Sequence, residues 1–162
     1  MDILSSLAQW VLSFLPAFML RWYWTEQRLA VRIKTTISSE GQGIWVDAGE
    51  IPNFHAWLEV TNFSPFQVEV ERLHGELYYG TRICSYIWLE RIEVPTASEK
   101  RIRIEGTLTD SQALYLRRNF GKNKTKLLIN GYLQCRVRGF HIFGRTIESS
   151  NAEIVNANWS AP

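Results

Sequence analysis

Three histidines, two cysteines and one glycine-spaced segment are the parts of this 162-residue chain whose types and spacing could do chemistry. A metal site would need His55, His74 and His141 to converge from distant positions, since none has a second His or Cys at ligand spacing. Satisfied or exposed imidazoles are the plainer reading, and no metal or other cofactor is expected. Cys84 and Cys135 are too few for a disulfide framework or a four-thiolate centre. Cys135 alternates with Leu133 and Val137 while Arg136 and Arg138 take the other face, which reads as a buried apolar thiol; a Cys84–Cys135 bridge is the alternative. Residues 139–146, GFHIFGRT, match the spacing of a phosphate-binding loop with Arg145 in the lysine place. Such a loop must open a helix, whereas Phe140 and Ile142 alternating with His141 and Phe143 read as strand. No nucleophile elbow or Cys-x-x-Cys pair occurs, and Glu69 and Glu71, two apart, share a strand face as any solvated edge would. The expectation is a protein that is not an enzyme.

Cations offer a different chemistry. Arg117 and Arg118, then Lys122, Lys124 and Lys126, with Arg136 and Arg138 further on, could form a patch for anionic lipid headgroups, which attract such side chains by ~1 kcal/mol each near the surface. A solvated face that discourages edge-to-edge strand pairing is the competing reading. The formal net charge of +2 is too small for a protein built to neutralise many phosphates, so nucleic acid is not an expected partner.

These residues need elements to position them, and the first is N-terminal. Residues 3–20 carry no charge, and as a helix they would cover ~27 Å, just short of a ~30 Å hydrocarbon core. Arg21 can snorkel, and Trp22, Tyr23 and Trp24 supply the amphipathic ring belt that settles at headgroup depth. A single-pass membrane helix over residues 1–24 is expected; the alternatives are a helix lying in the interface, which would want a strongly charged face, and a buried core helix, for which the uncharged run is long. Asp2 and the bulky aromatics argue against a cleaved signal peptide. Ser5, Gln9, Ser13 and Ala17 recur every four residues as a narrow seam suited to packing against a partner helix, with a kink at Pro16. Arg21, Arg28, Arg32 and Lys34 follow the apolar run and none precedes it, which favours a cytosolic domain. Sequons at Asn62, Asn123 and Asn158 argue for the opposite side.

Past Trp24 the hydrophobic period becomes two, the mark of strands. Residues 31–37, 56–61, 68–79, 85–94, 101–105, 126–137 and 143–155 fit that pattern, and Asp110 can cap a short helix that Gly121 ends. Gly41, Gly43 and Gly49 punctuate a loop region. Apolar residues at 46% and aromatics at 13% suit one well-packed β-rich domain. The organisation expected is an anchor over residues 1–24, an antiparallel immunoglobulin- or fibronectin-III-like β-sandwich over 25–158, and a tail over 159–162.

Residues 57–80, WLEVTNFSPFQVEVERLHGELYYG, resemble the group-two late embryogenesis abundant family, also called the water-stress and hypersensitive-response domain. The shared pattern is a strand with Leu58 and Val60, a turn over 62–65, a Val-x-Val strand at Val68 and Val70, then Gly75 and an aromatic strand to Tyr79. Asn62 can close an Asx-turn and Pro65 cannot continue a central ladder, so the motif fixes a bend rather than a reactive centre. The family's usual Asn-Pro pair is Asn62-Phe63 here, and the basic tail that precedes the helix in membrane-tethered members is absent. The resemblance implies stress-protective or membrane-associated binding roles. With the anchor, it suggests a non-catalytic accessory or adaptor subunit whose partners are the bilayer and a membrane protein; a lipid-handling module with a bound acyl chain is the alternative.

Overall fold

A computed structural model describes residues 16–38, 43–148 and 152–158. Two short helices open this part of the chain. Pro16 caps α1 (Ala17–Tyr23) with ψ of 139°, an extended conformation, so helix does not run through this residue. Thr25 caps α2 (Glu26–Val31), its side chain accepting from the Arg28 amide. Leu29, fully buried, is the reason this stretch folds as a helix: it pins α2 to the core. Val31 and Arg32, which by alternation belong to a strand, therefore close a helix, and β1 (Ile33–Ile37) starts later.

The strands that follow form a β-sandwich of two five-stranded sheets. In the first, β3 (Asn53–Asn62) is central. β7 (Ser98–Thr107) covers one side of it over its whole length, while β1 and β2 (Ile44–Asp47) share the other, and β10 (Ala152–Val155) lies outside β2. In the second, β4 (Val68–Tyr79) is flanked by β8 (Thr125–Cys135), with β9 (Gly139–Glu148) beyond it. Its other side is shared by β5 (Thr81–Trp88) and β6 (Ile92–Val94). Every pairing is antiparallel except β10 with β2, which run parallel. Strict alternation, clearest in β3 and in β8, sends Phe54, Leu58, Leu127 and Ile129 between the sheets.

Several boundaries depart from the hydrophobic pattern for physical reasons. Ile44 and Val46 make a strand inside the glycine-punctuated loop region, too short for its alternation to stand out. Residues 85–94 are not one strand: β4 bulges between Val70 and Arg72, and the facing edge breaks into β5 and β6 at the same point. Residues 143–155 likewise divide into the end of β9 and β10. The helix α3 (Asp110–Arg118) is capped by Thr109, not Asp110: Thr109 and Gln112 form a reciprocal capping box. In residues 139–146 the glycines belong to a strand, and Gly144, with φ of +59°, sits where β8 and β9 shift register and donates to Asn130 Oδ1 at 2.8 Å.

One contact joins the two sheets at mid-core. Gly75 and Tyr86 are paired across β4 and β5, and Phe54 and Gly106 are paired across β3 and β7. Each ring lies over its glycine: a Cβ on Gly75 would stand 1.8 Å from Tyr86 Cζ, and one on Gly106 2.7 Å from Phe54 Cε1. The two rings then meet at 5.8 Å between centroids.

Both cysteines are thiols, and their register explains it. Cys84 pairs with Leu77 and Cys135 with Val68, nine positions apart along β4, about 30 Å at strand rise and far beyond disulfide reach. Burial pushes the Cys84 thiol up to about 11. Alkylation of native protein by iodoacetamide at pH 8 should therefore run about a hundredfold slower at Cys84 than in denatured protein, where the thiol recovers its ordinary value. Intact mass should not change with reductant; a two-dalton shift would contradict the register.

Candidate membrane-facing surface

The sandwich has two ends; α1 sits on one of them, and α2 leads from it along the edge between β1 and β9, where Arg145 Nη2 donates to Ala30 O at 2.8 Å. That end also carries the turn over 63–67, the loop over 95–97 and the β8–β9 turn over 136–138. α1 is tied to it from both sides: Arg21 Nε donates to Val137 O at 3.1 Å, and the Arg138 guanidinium donates to Arg21 O. Leu20, 5% exposed, joins the core, and Trp24 packs edge-on against Phe66 at 5.5 Å. No flexible linker separates α1 from the sandwich.

The four residues expected to form a headgroup belt are thus divided. Trp22, 85% exposed, and Tyr23, 55% exposed, face outward. Trp24 is half-buried in the domain, and Arg21 spends its guanidinium on the 136–138 turn rather than reaching freely for a bilayer. Other residues, not singled out by spacing, enlarge the outward face: Phe18, Met19, Val31 and Phe63 are all exposed large apolar side chains. Phe63 N donates to Arg32 O at 2.9 Å, which places the 63–67 turn against the end of α2. A groove of about 420 Å³ runs along Tyr23, Trp24, Gln27, Arg28, Val31 and Arg32. Arg28 stacks over Tyr23 at 4.6 Å and donates to its carbonyl at 2.8 Å, so aromatic and cation form one unit. Single exposed apolar residues are ordinary; six on one end, interleaved with arginines, are a patch.

The turn expected from residues 62–65 is present, and Asn62 organises it from within. Its side chain is fully buried, and Nδ2 donates to Phe66 O at 2.8 Å, Val94 O at 2.9 Å and Pro95 O at 3.2 Å. Oδ1 accepts from Ser64 N at 2.9 Å, the Asx-turn. Pro65 lies half-buried at the bend. The buried amide takes the first sequon out of reach of a glycosyltransferase acting on the folded chain, while Asn123 and Asn158 are exposed.

The basic residues do not form one patch. Arg136 and Arg138 lie at the α1 end, after β8. Arg117, Arg118, Lys122, Lys124 and Lys126 lie at the other, on α3, the loop that follows it and the start of β8. The eleven residues of β8 separate the two groups by about 35 Å. Of the seam, Ser5, Gln9 and Ser13 lie outside the described residues, and Ala17 opens α1. Among the described residues no helix is long and apolar enough to cross a membrane, and no group of three His, Cys, Asp or Glu side chains could hold a metal ion. His55 stacks on Trp45 at 4.8 Å, where burial and the Arg103 guanidinium hold its pKa below the usual imidazole value. His141 stacks on Phe143 at 5.1 Å on the far sheet. His55 and His141 are thus surface ring contacts on different sheets.

No protein-family model matches the chain, and no curated protein matches it in sequence. Its similarities to solved structures include late embryogenesis abundant-like proteins. The solution structure of AT1g01470 from Arabidopsis thaliana superposes with a TM-score of 0.53 at 12% identity, covering 75% of this chain and 83% of that one. A protein assigned to the late embryogenesis abundant class, At2g46140.1, aligns at 0.46 and 14% identity over 74% of this chain and 72% of that one. A protein from Archaeoglobus fulgidus aligns at 0.42 and 15% identity, over 72% and 93%. The first of these supports the fold expected from residues 57–80 and speaks for the fold alone.

Proposed function

We propose that this chain is a non-catalytic β-sandwich of the group-two late embryogenesis abundant type that docks on a bilayer by its α1 end and serves there as an accessory or adaptor subunit. The observation that carries the reading is the exposed set Phe18, Met19, Trp22, Tyr23, Val31 and Phe63 beside Arg28 and Arg32. Burying one such side chain is worth roughly 1.5–3 kcal/mol, so insertion of the set is comparable with the ~4–15 kcal/mol of freedom lost on docking. Arg28 and Arg32 would meet phosphate at the depth where rings and guanidinium groups sit together. A membrane-spanning segment ahead of Pro16 would deliver the chain to this same end, because α1 is fixed on it. A partner helix in the bilayer remains part of the proposal through the Ser5, Gln9, Ser13 and Ala17 seam.

The test is positional. A Phe63→Cys variant carrying an environment-sensitive dye should blue-shift on neutral phosphatidylcholine vesicles, and an Ile51→Cys variant, labelled at a site that is also exposed, should not. Cys135 is buried and the half-buried Cys84 thiol is held protonated, which leaves the new cysteine as the reactive one. No shift at position 63, or equal shifts at both, would refute end-on docking.

A second reading has its own observation. Between β7 and β5 with β6, which are sheet edges among the described residues, lies a groove of about 430 Å³ where Tyr86, Trp88 and Ile92 meet Arg101, Arg103 and Glu90. Its size falls within the range of small-molecule sites, and its mixed lining would suit a lipid that lays its chain on the rings and its headgroup on the arginines. Native mass spectrometry after gentle extraction separates the two readings, a retained lipid favouring the groove.

A further inference from the structure

Charge is unevenly distributed along this chain in a way the net value of +2 conceals. Between residues 111 and 147 there is no Asp or Glu, while eight Lys or Arg occur. The fold sends seven of the eight to the ends of the sandwich, while Arg145 lies along β9 and donates to Ala30 O. The α1 end receives Arg136 and Arg138; the opposite end receives the group from Arg117 to Lys126.

We propose that this opposite end binds a second, anionic lipid surface, so that the sandwich bridges two bilayers. Bridging rests on the docking reading above for the first bilayer; the second contact stands on its own residues. Leu114 and Arg118 are four apart on α3 and share its outer face, where both are exposed. Phe120, half exposed, follows directly, and Lys122 and Lys124 project from the loop into β8. Lys122 Nζ donates to Arg118 O at 3.1 Å, which folds the loop back on the last turn of α3 and gathers these cations. Tyr79 OH donates to Asn119 O at 3.0 Å, and Gln112 Nε2 donates to Ile83 O, fixing the helix on the sheet. Arg118, Lys122 and Lys124 have no carboxylate partner among the described residues. Asp110 sits at the other end of α3, and the Asp47 carboxylate is engaged by Gly49 N and Asn156 Nδ2 at 2.8 Å each.

Lipid is favoured over a polyanionic chain because apolar groups stand among the cations. Leu114 and Phe120 match the headgroup boundary, where apolar side chains insert while cations stay with phosphate. Duplex nucleic acid would present only phosphate and sugar there and would leave Leu114 and Phe120 without a partner.

The experiment reconstitutes the full chain into neutral phosphatidylcholine donor vesicles and offers acceptor vesicles with or without phosphatidylserine, reading donor–acceptor energy transfer. Capture of acidic acceptors only is expected. The triple variant Arg118→Glu, Lys122→Glu, Lys124→Glu should reduce it at least about a hundredfold, since each near-surface cation multiplies partitioning about fivefold. Phe120→Ser should weaken capture without changing its salt dependence. A thermal melt of each variant, and a charge-neutral Gln triple variant, exclude misfolding as the cause. Equal capture of neutral acceptors, or capture unmoved by the charge reversal, overturns the proposal. Binding of duplex DNA without vesicle capture also overturns it, in favour of a nucleic-acid site. Flotation of the donors reads the first contact separately. If the chain does not float with them, direct sedimentation of the free protein with acidic vesicles decides the second contact alone.

Discussion

Replacing Asn62 with alanine is expected to destabilise the fold by about 3 kcal/mol, because it strands several buried backbone groups at once. Ser64 N loses its acceptor inside a fully buried turn, and Val94 O, Pro95 O and Phe66 O each lose a donor. The damage is partial for two of them: Phe66 O keeps the Ser64 hydroxyl and Pro95 O keeps that of Ser98. Asn62→Asp separates shape from chemistry. The aspartate fits the same space but would point a carboxylate at three carbonyl oxygens, so at pH 7 it should be less stable than the alanine variant. Burial and those oxygens raise its folded pKa above the unfolded value of ~3.9. A raised folded pKa gives stability that is present at low pH and lost as pH rises through it, so the aspartate variant should recover below about pH 5 and the alanine variant should not. Urea midpoints at pH 7 and pH 4.5 measure both effects. An alanine variant within ~0.5 kcal/mol of the parent would mean that the turn does not depend on this amide.

Gly75→Ala should be at least as costly, although it adds one methyl group. That carbon would stand 1.8 Å from Tyr86 Cζ and 1.9 Å from its hydroxyl oxygen, so the ring must leave its place. Tyr86 is only 8% exposed and touches Phe54, which itself covers Gly106, so displacement propagates into the opposite sheet. A loss of about 3 kcal/mol or more is expected, at the upper end for overpacking. The diagnostic is non-additivity: in a Tyr86→Ala background the same Gly75→Ala change should cost under about 1 kcal/mol. Tyr86→Phe supplies the converse. The Tyr86 hydroxyl is buried without a hydrogen-bond partner among the described residues, and burial pushes its pKa well up. Removing that oxygen should leave stability unchanged or improve it by up to about 1 kcal/mol, read by the same urea titration.

The sequence displays this fold where alternation is long and uninterrupted. β3 and β8 run ten and eleven residues with every second side chain buried, and period two reveals them directly. α2 was hidden because six residues hold too few turns to establish a helical period, and Leu29 gives no local sign of its burial. A better reading of α3 was available: Thr109 and Gln112 have the spacing of a capping box, which outranks Asp110 as a start signal. The division of the basic residues was also legible in principle, since a strand eleven residues long must carry Lys124 and Arg136 to opposite ends. Trp24 is different. Its neighbours Trp22 and Tyr23 have the same character, and only the tertiary contact with Phe66 turns it inward. The β5 and β6 break comes from a bulge in a different strand, which no reading of residues 85–94 alone could reveal.

The two hydrogen bonds between Arg21 and the 136–138 turn also decide how the molecule bears load. A pull on the chain at Pro16 does not arrive first at a strand. It arrives at α1, held by those bonds, by Leu20 and by Trp24 against Phe66, a small and local set of contacts. α2 comes next, pinned by Leu29 and by Arg145 donating to Ala30 O, and only then β1, whose five paired positions with β3 must slide together rather than open one at a time. Peeling α1 away would lengthen the chain while both sheets stay closed, so the docked helix is a sacrificial link, yielding before the sandwich does.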